Sequence, residues 1–142
     1  MISFSRDFVL EAPVDKVFNY ISNPVNEIEY IPGVIDISDV SGEGVGLKCY
    51  WTYKIMGFPL NGEAEIVEYI PERRYVIKTR GDVESTWDWT LENDSGKTRL
   101  KLKVDYSLPM PVLEHVGETL LKALNAHEAN YAMAILKKRL EE

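Results

Sequence analysis

His127 and Tyr131 stand four residues apart, close enough to lie one above the other on a single helical face. Side chains so placed could anchor a ligand, or move protons as general acid and base in an aldol-type cyclisation or dehydration. The same pair also fits a core histidine and tyrosine whose polar atoms are satisfied by backbone or water. A catalytic role needs a group that orients the imidazole, and no spacing marks one, so catalytic residues stay unassigned. Five aromatic residues, Trp51, Tyr53, Trp87, Trp89 and Tyr106, share the apolar parity of alternating segments. Rings carrying N–H and O–H groups can simply fill a core, or they can form a pocket wall that is mostly apolar with a few polar anchors. Arg6, Glu63 and Glu65 could point inward, but a buried charge needs a partner. The parity of Leu60, Gly62, Ala64 and Ile66 favours exposed glutamates. No His/carboxylate set has metal-ligand spacing, so no metal is expected. There is no nucleophile elbow. Gly42, Gly44 and Gly46 lead from strand to strand, and that hairpin context has no helix N-terminus to receive phosphate. No cofactor is expected.

The elements that must position these residues follow from periodicity. Ile2, Phe4, Phe8 and Leu10 share one parity, with Arg6 the exception among them, which predicts a strand with one buried face. Pro13 stops it, and Val14, Val17, Phe18 and Ile21 make one helical stripe. Asn23-Pro24 opens a second short helix, with Val25, Ile28 and Ile31 as its apolar side and Pro32-Gly33 as its end. Between residues 34 and 107 the period is mostly two, cut by turn signals into six strands with short, antiparallel connections. Leu100, Leu102, Val104 and Tyr106 against Arg99, Lys101, Lys103 and Asp105 form its cleanest alternation. The apolar face needs a cover. After Pro109-Met110-Pro111, the residues Leu113, Val116, Leu120, Leu124, His127, Tyr131 and Ile135 recur at helical spacing and predict one continuous inner stripe. Such a helix of about 30 residues would be about 45 Å long and could cross a curved sheet. Leu120, Leu124 and His127 would sit at its middle, facing the sheet where the gap is widest.

Composition narrows the function classes. The 142 residues fit one domain, with no linker, repeat or low-complexity tract. A formal charge of −7 without a basic run argues against nucleic acid and against charge-driven docking on anionic lipid. The single cysteine, Cys49, cannot form an internal disulfide and is expected in the core. No signal-peptide pattern and no apolar stretch of membrane-spanning length is seen, so a cytoplasmic protein without membrane insertion is expected.

The order of elements is strand, two short helices, six strands, long helix. Its local carriers are Glu11-Ala12-Pro13-Val14-Asp15-Lys16-Val17-Phe18, Asn23-Pro24, Pro32-Gly33-Val34, Gly44-Val45-Gly46 and Asp105-Tyr106-Ser107-Leu108-Pro109. Across the whole chain this resembles the helix-grip (SRPBCC) superfamily, which includes START domains, the birch pollen allergen and the polyketide cyclase/dehydrase family. The resemblance implies an α+β helix-grip fold: a curved seven-stranded antiparallel sheet wrapped on a long C-terminal helix. It also implies a cavity between them for a lipid, polyketide or isoprenoid-like molecule. The ligand-binding set expected from it is Trp51, Tyr53, Trp87, Trp89, Tyr106, Leu120, Leu124, His127 and Tyr131. Three function classes remain open: an apolar-ligand binding protein, a cyclase/dehydratase-type enzyme using the same cavity, and a protein-interaction or cofactor-assembly module.

Overall fold

Along the strand Lys97–Ser107, Leu100, Leu102, Val104 and Tyr106 are buried while Arg99, Lys101 and Lys103 are exposed, so alternation assigns one face to the interior. The computed structural model describes residues 1–141. In chain order the elements are β1 (Ile2–Leu10), α1 (Val14–Ile21), a 3-10 turn (Pro24–Asn26) leading into α2 (Glu27–Tyr30), then β2 (Val34–Ser41) and β3 (Lys48–Ile55). They continue through β4 (Phe58–Ile70), β5 (Arg74–Gly81), β6 (Glu84–Asp94), β7 (Lys97–Ser107), α3 (Met110–Val116) and α4 (Glu118–Leu140). The seven strands form one antiparallel sheet in the order β1-β7-β6-β5-β4-β3-β2. Six strands therefore meander, and β1 closes against β7 with Phe8 opposite Leu100.

The sheet bends where its ladder is interrupted. Register shifts fall between Ile66 and Glu68 on β4, and at two points on β2. Each such irregularity increases local twist and curvature. Gly62 and Gly81 face each other across β4 and β5. A Cβ on Gly62 would stand 2.0 Å from the Arg80 carbonyl oxygen and 2.9 Å from the Trp51 ring. Only a residue without a side chain admits that approach.

The helices show two departures from the sequence reading. In the second short helix the covered residues are Pro24, Tyr30 and Ile31, whereas Val25 and Ile28 are exposed. The 3-10 turn changes the angular spacing of side chains, so a stripe counted at α-helical period across it drifts off the buried side. The C-terminal helix is not continuous. Gly117, at φ 78° and ψ 154°, separates α3 from α4. The phase set by Leu113 and Val116 does not carry across it. Leu121, Ala129, Leu136 and Leu140 are buried on α4, while Leu120, His127 and Tyr131 are exposed. The face is turned by one residue, which is about 100° around the helix axis. α4 approaches β1 and α2 most closely. No helix among the described residues is long and apolar enough to cross a membrane.

The Gly62–Gly81 approach is testable by stability. Gly62→Ala should lower unfolding free energy by about 1–3 kcal/mol, because the backbone at Arg80 must yield to the added methyl. Thermal unfolding followed by circular dichroism measures it, and an unchanged midpoint would mean that the close approach is not required for the bend.

Candidate functional site

The concave face of the sheet and the inner side of α4 enclose a cavity of about 110 Å³. Counting the mouth, the space free of protein atoms is about 850 Å³. Apolar side chains from the sheet, such as Phe4, Ile55, Ile77 and Val104, form most of its wall, and Leu121 closes it from α4. Four of the five aromatic residues singled out from sequence, Trp51, Tyr53, Trp87 and Tyr106, reach the cavity. Trp89 does not. It is fully buried against Tyr30, edge to face with centroids 6.2 Å apart, and belongs to the packed core.

The expected contribution of α4 is corrected. Leu120, His127 and Tyr131 face away, and Leu124 is partly buried against the core without reaching the cavity. Asn125 and Glu128 stand there beside Leu121. The stripe Leu121, Asn125, Glu128, Ala132, Leu136 runs at helical spacing as regular as the expected one. Because two of its members are polar, a search for apolar residues passes over it. His115 is exposed and packs on Phe58 with ring centroids 4.8 Å apart. Arg6 donates to the Ser5 carbonyl at 2.9 Å. Glu63 and Glu65 pair outside the cavity with Arg80 and Lys48. Cys49 is buried in the core.

Two lining rings lie over glycines. A Cβ at Gly33 would fall 2.1 Å from the Tyr53 ring, and one at Gly62 would crowd the Trp51 indole. Freed in this way, Trp51 folds along its neighbour strand and donates Nε1–H to the Glu63 carbonyl at 2.9 Å. Tyr53 donates its hydroxyl to Glu128 Oε1 at 2.5 Å. Burial and the adjacent carboxylate hold the Tyr53 hydroxyl well above the usual tyrosine range, so it keeps its proton. Burial likewise raises Glu128, opposed by the Tyr53 hydrogen bond and by nearby His127. Asn125 Nδ2 donates to Tyr106 Oη at 2.9 Å. At the β5–β6 end, Trp87 Nε1 donates to Ser85 Oγ at 3.2 Å, Ser85 and Thr79 hydroxyls meet at 2.5 Å, and Thr79 donates to the Val83 carbonyl at 3.0 Å. Thr79 has one hydroxyl proton and directs it to Val83, so Ser85 must be the donor between them. Every donor in that chain is used.

Glu27 is different. It projects from the first turn of α2 into the cavity, and among the described residues no hydrogen bond or ion pair reaches its carboxyl. It is half-buried in the cavity wall, and loss of water raises its pKa from 4.5 to about 8. At neutral pH it is mostly a neutral acid. Tyr30, Cys49 and Tyr75 lie near enough to feel its charge, and among the described residues the buried Tyr30 and Tyr75 hydroxyls have no partner. Sequence reading missed Glu27 because an isolated glutamate in a short helix looks like any solvated residue. Among the described residues no cluster of three or more His, Cys, Asp or Glu side chains is arranged to hold a metal ion.

Glu27 makes stability depend on pH in a defined direction. Between about pH 4.5 and 8 the folded protein retains a proton that the unfolded chain has released, so stability is fully present below pH 4.5 and is lost as pH rises through 8. Glu27→Gln should remove this slope. The stability difference, variant minus parent, should grow across that window to a few kcal/mol and then level off, because each pKa unit is worth about 1.4 kcal/mol. Urea unfolding at a series of pH values measures it, and a flat difference would mean that the carboxyl is hydrated in the folded protein.

Residues 1–141 match the family described as polyketide cyclase / dehydrase and lipid transport. No curated protein sequence matches. The fold is similar to TTHA0849 from Thermus thermophilus, at 20% identity and TM-score 0.81 over 97% of this chain and 96% of that one. It is also similar to a START superfamily protein from Mycobacterium smegmatis, at 12% identity and TM-score 0.77, covering 98% of this chain and 97% of that one. The Zhui aromatase/cyclase from Streptomyces sp. R1128 matches at 14% identity and TM-score 0.74, with 97% and 92% covered. At these identities the likeness is one of fold. Seven curved antiparallel strands closed by a C-terminal helix, with the match of nearly the whole chain, place the protein in the helix-grip superfamily and, within it, in the polyketide cyclase/dehydrase and lipid transport family.

Proposed function

We propose that the protein binds a hydrophobic small molecule, of lipid, polyketide or isoprenoid-like character, between the sheet and α4. The observation that carries this reading is a preformed cavity with apolar and aromatic walls and only a few polar groups. The driving force is removal of apolar ligand surface from water, about 25 cal/mol for each Å² covered. Trp51, Tyr53, Trp87 and Tyr106 would bear on the body of the ligand, and the carboxyls would meet its polar end. Family membership and the aromatase/cyclase neighbour support the same use of the space.

An enzymatic reading has one specific observation in its favour. Glu27 keeps a proton near neutral pH inside an apolar cavity, which is the state required of a general acid. His127 and Tyr131, which sequence spacing offers as an alternative acid/base pair, are exposed and lie outside the cavity lining. Proton transfer would fall to Glu27 or to the Tyr53–Glu128 pair.

The binding reading is tested with N-phenylnaphthylamine, an uncharged anilinonaphthalene fluorophore. It should bind the parent, brighten, and quench emission from the lining tryptophans. Leu121→Trp places a larger side chain at the cavity wall. It should abolish that signal while shifting stability by less than the roughly 1–3 kcal/mol typical of overfilling a close-packed core. A parent that binds no probe, or a Leu121→Trp protein that is severely destabilised, would show that the space is closed by its own side chains.

A further inference from the structure

Of the polar side chains that line the cavity, all but one have a hydrogen-bond partner within the described protein: Tyr53 with Glu128, Asn125 with Tyr106, Trp51 with a carbonyl, and the Trp87–Ser85–Thr79 chain. Glu27 has none. A carboxyl that faces an apolar cavity without a protein partner leaves its hydrogen-bonding and ionising capacity to the ligand, and a basic nitrogen satisfies both by taking its proton and pairing with the carboxylate. The cavity is also one-sided in charge. Its lining holds two carboxyls, Glu27 and Glu128, and no Lys, Arg or His among the described residues. Carboxyls with aromatic faces and no cationic side chain offer carboxylates and phosphates no counter-charge and favour a cationic nitrogen. The surface agrees, since a formal charge of −7 draws cations toward the protein.

Resting on the ligand-binding reading above, we infer that the cavity selects a hydrophobic amine, an apolar body carrying one protonatable nitrogen, with Glu27 as its counter-ion. A neutral amine entering the site takes the Glu27 proton: the carboxyl O–H bond breaks, an N–H bond forms, and an ammonium–carboxylate pair results. An amine that arrives as ammonium reaches the same pair by releasing the Glu27 proton to solvent. The unpartnered hydroxyls of Tyr30 and Tyr75, close enough to sense the charge on Glu27, are the groups available to steady its ionised form. Tyr30 shares the helix of Glu27, while Cys49 on β3 and Tyr75 on β5 face it from the sheet. Burial keeps all three neutral: the thiol is pushed up to about 11 and the phenols well above their usual range. The ligand nitrogen would therefore meet a single unpaired acid at this end.

Three probes sharing one bicyclic body separate the possibilities: naphthylethylamine, naphthylethanol and naphthylacetic acid, titrated into the full chain at neutral pH by calorimetry. The amine should bind at least about tenfold more tightly than the alcohol, and the acid most weakly, a tenfold step being 1.4 kcal/mol. Glu27→Gln should bring the amine to within about threefold of the alcohol, both measured on the same variant. Glu27→Leu, which replaces the desolvated carboxyl by an apolar side chain, gives the same comparison if Glu27→Gln fails to fold. An acid that binds as tightly as the amine, or an amine preference that survives both substitutions, overturns the inference and leaves the ligand cavity standing. A parent that binds none of the three loses the cavity as well.

Discussion

A straight helix cannot stay in contact with a bent sheet along its whole length, and the rest of this molecule follows from that mismatch. Bulges on β2 and β4 and the Gly62–Gly81 approach bend the sheet, while α4 closes on β1 and α2. Protein interiors normally close such gaps, because unfilled space forfeits dispersion contacts on every wall. Here the gap persists as a cavity, and the side chains that line it are held back from filling it. Trp51 is tied along β4 by its bond to the Glu63 carbonyl, and Tyr53 by its bond to Glu128. Gly33 and Gly62 supply the room in which those two rings lie against backbone instead of across the void.

The same constraint sets the electrostatics. Groups inside a cavity of this kind lose bulk water without gaining a tightly packed protein environment, so each polar atom must find a partner or change its ionisation state. Most find partners at close range, Trp51 and the Trp87–Ser85–Thr79 chain ending on backbone carbonyls and Tyr53–Glu128 and Tyr106–Asn125 pairing side chain to side chain. Glu27 changes its state and holds its proton to about pH 8. Glu128 lies between these outcomes, raised by burial yet held by the Tyr53 hydroxyl. The outer face carries the opposite arrangement, with exposed pairs such as Arg80–Glu63 and Lys48–Glu65 that contribute little to stability but leave the sheet surface charged.

The strands were legible because their signal is local. A period of two over β7 or β6 leaves no alternative face, and a slip of one residue would expose Leu100, Leu102 and Val104 together. Parity alone put Trp51, Tyr53, Trp87, Trp89 and Tyr106 on the inner face, the family resemblance supplied the cavity, and Trp51, Tyr53, Trp87 and Tyr106 reach it. Trp89 has the same parity as Trp87 and was not separable from it. Whether a ring on the inner face meets packed core or open space depends on which helix lies above, and Trp89 meets Tyr30. The phase of α4 was not legible. Leu120, Leu124, His127 and Tyr131 make as regular a stripe as Leu121, Asn125, Glu128 and Ala132. The choice turns on Gly117, whose positive φ interrupts the helix and resets the count.

Sequence by itself determined the seven strands, their meander, the short helices after β1 and the need for a C-terminal cover, because each rests on contacts between residues near in sequence or on strict alternation. It also determined the acidic surface. Tertiary structure alone decided what the cavity contains. Glu27 from α2, the Asn125–Glu128 pair from α4, and Tyr53 from β3 come from segments far apart in the chain, and no spacing links the three segments. Desolvation, which turns Glu27 from an ordinary carboxylate into a neutral acid, is a property of the surroundings and not of the residue. No pattern along a chain records which side chains will lose their water together.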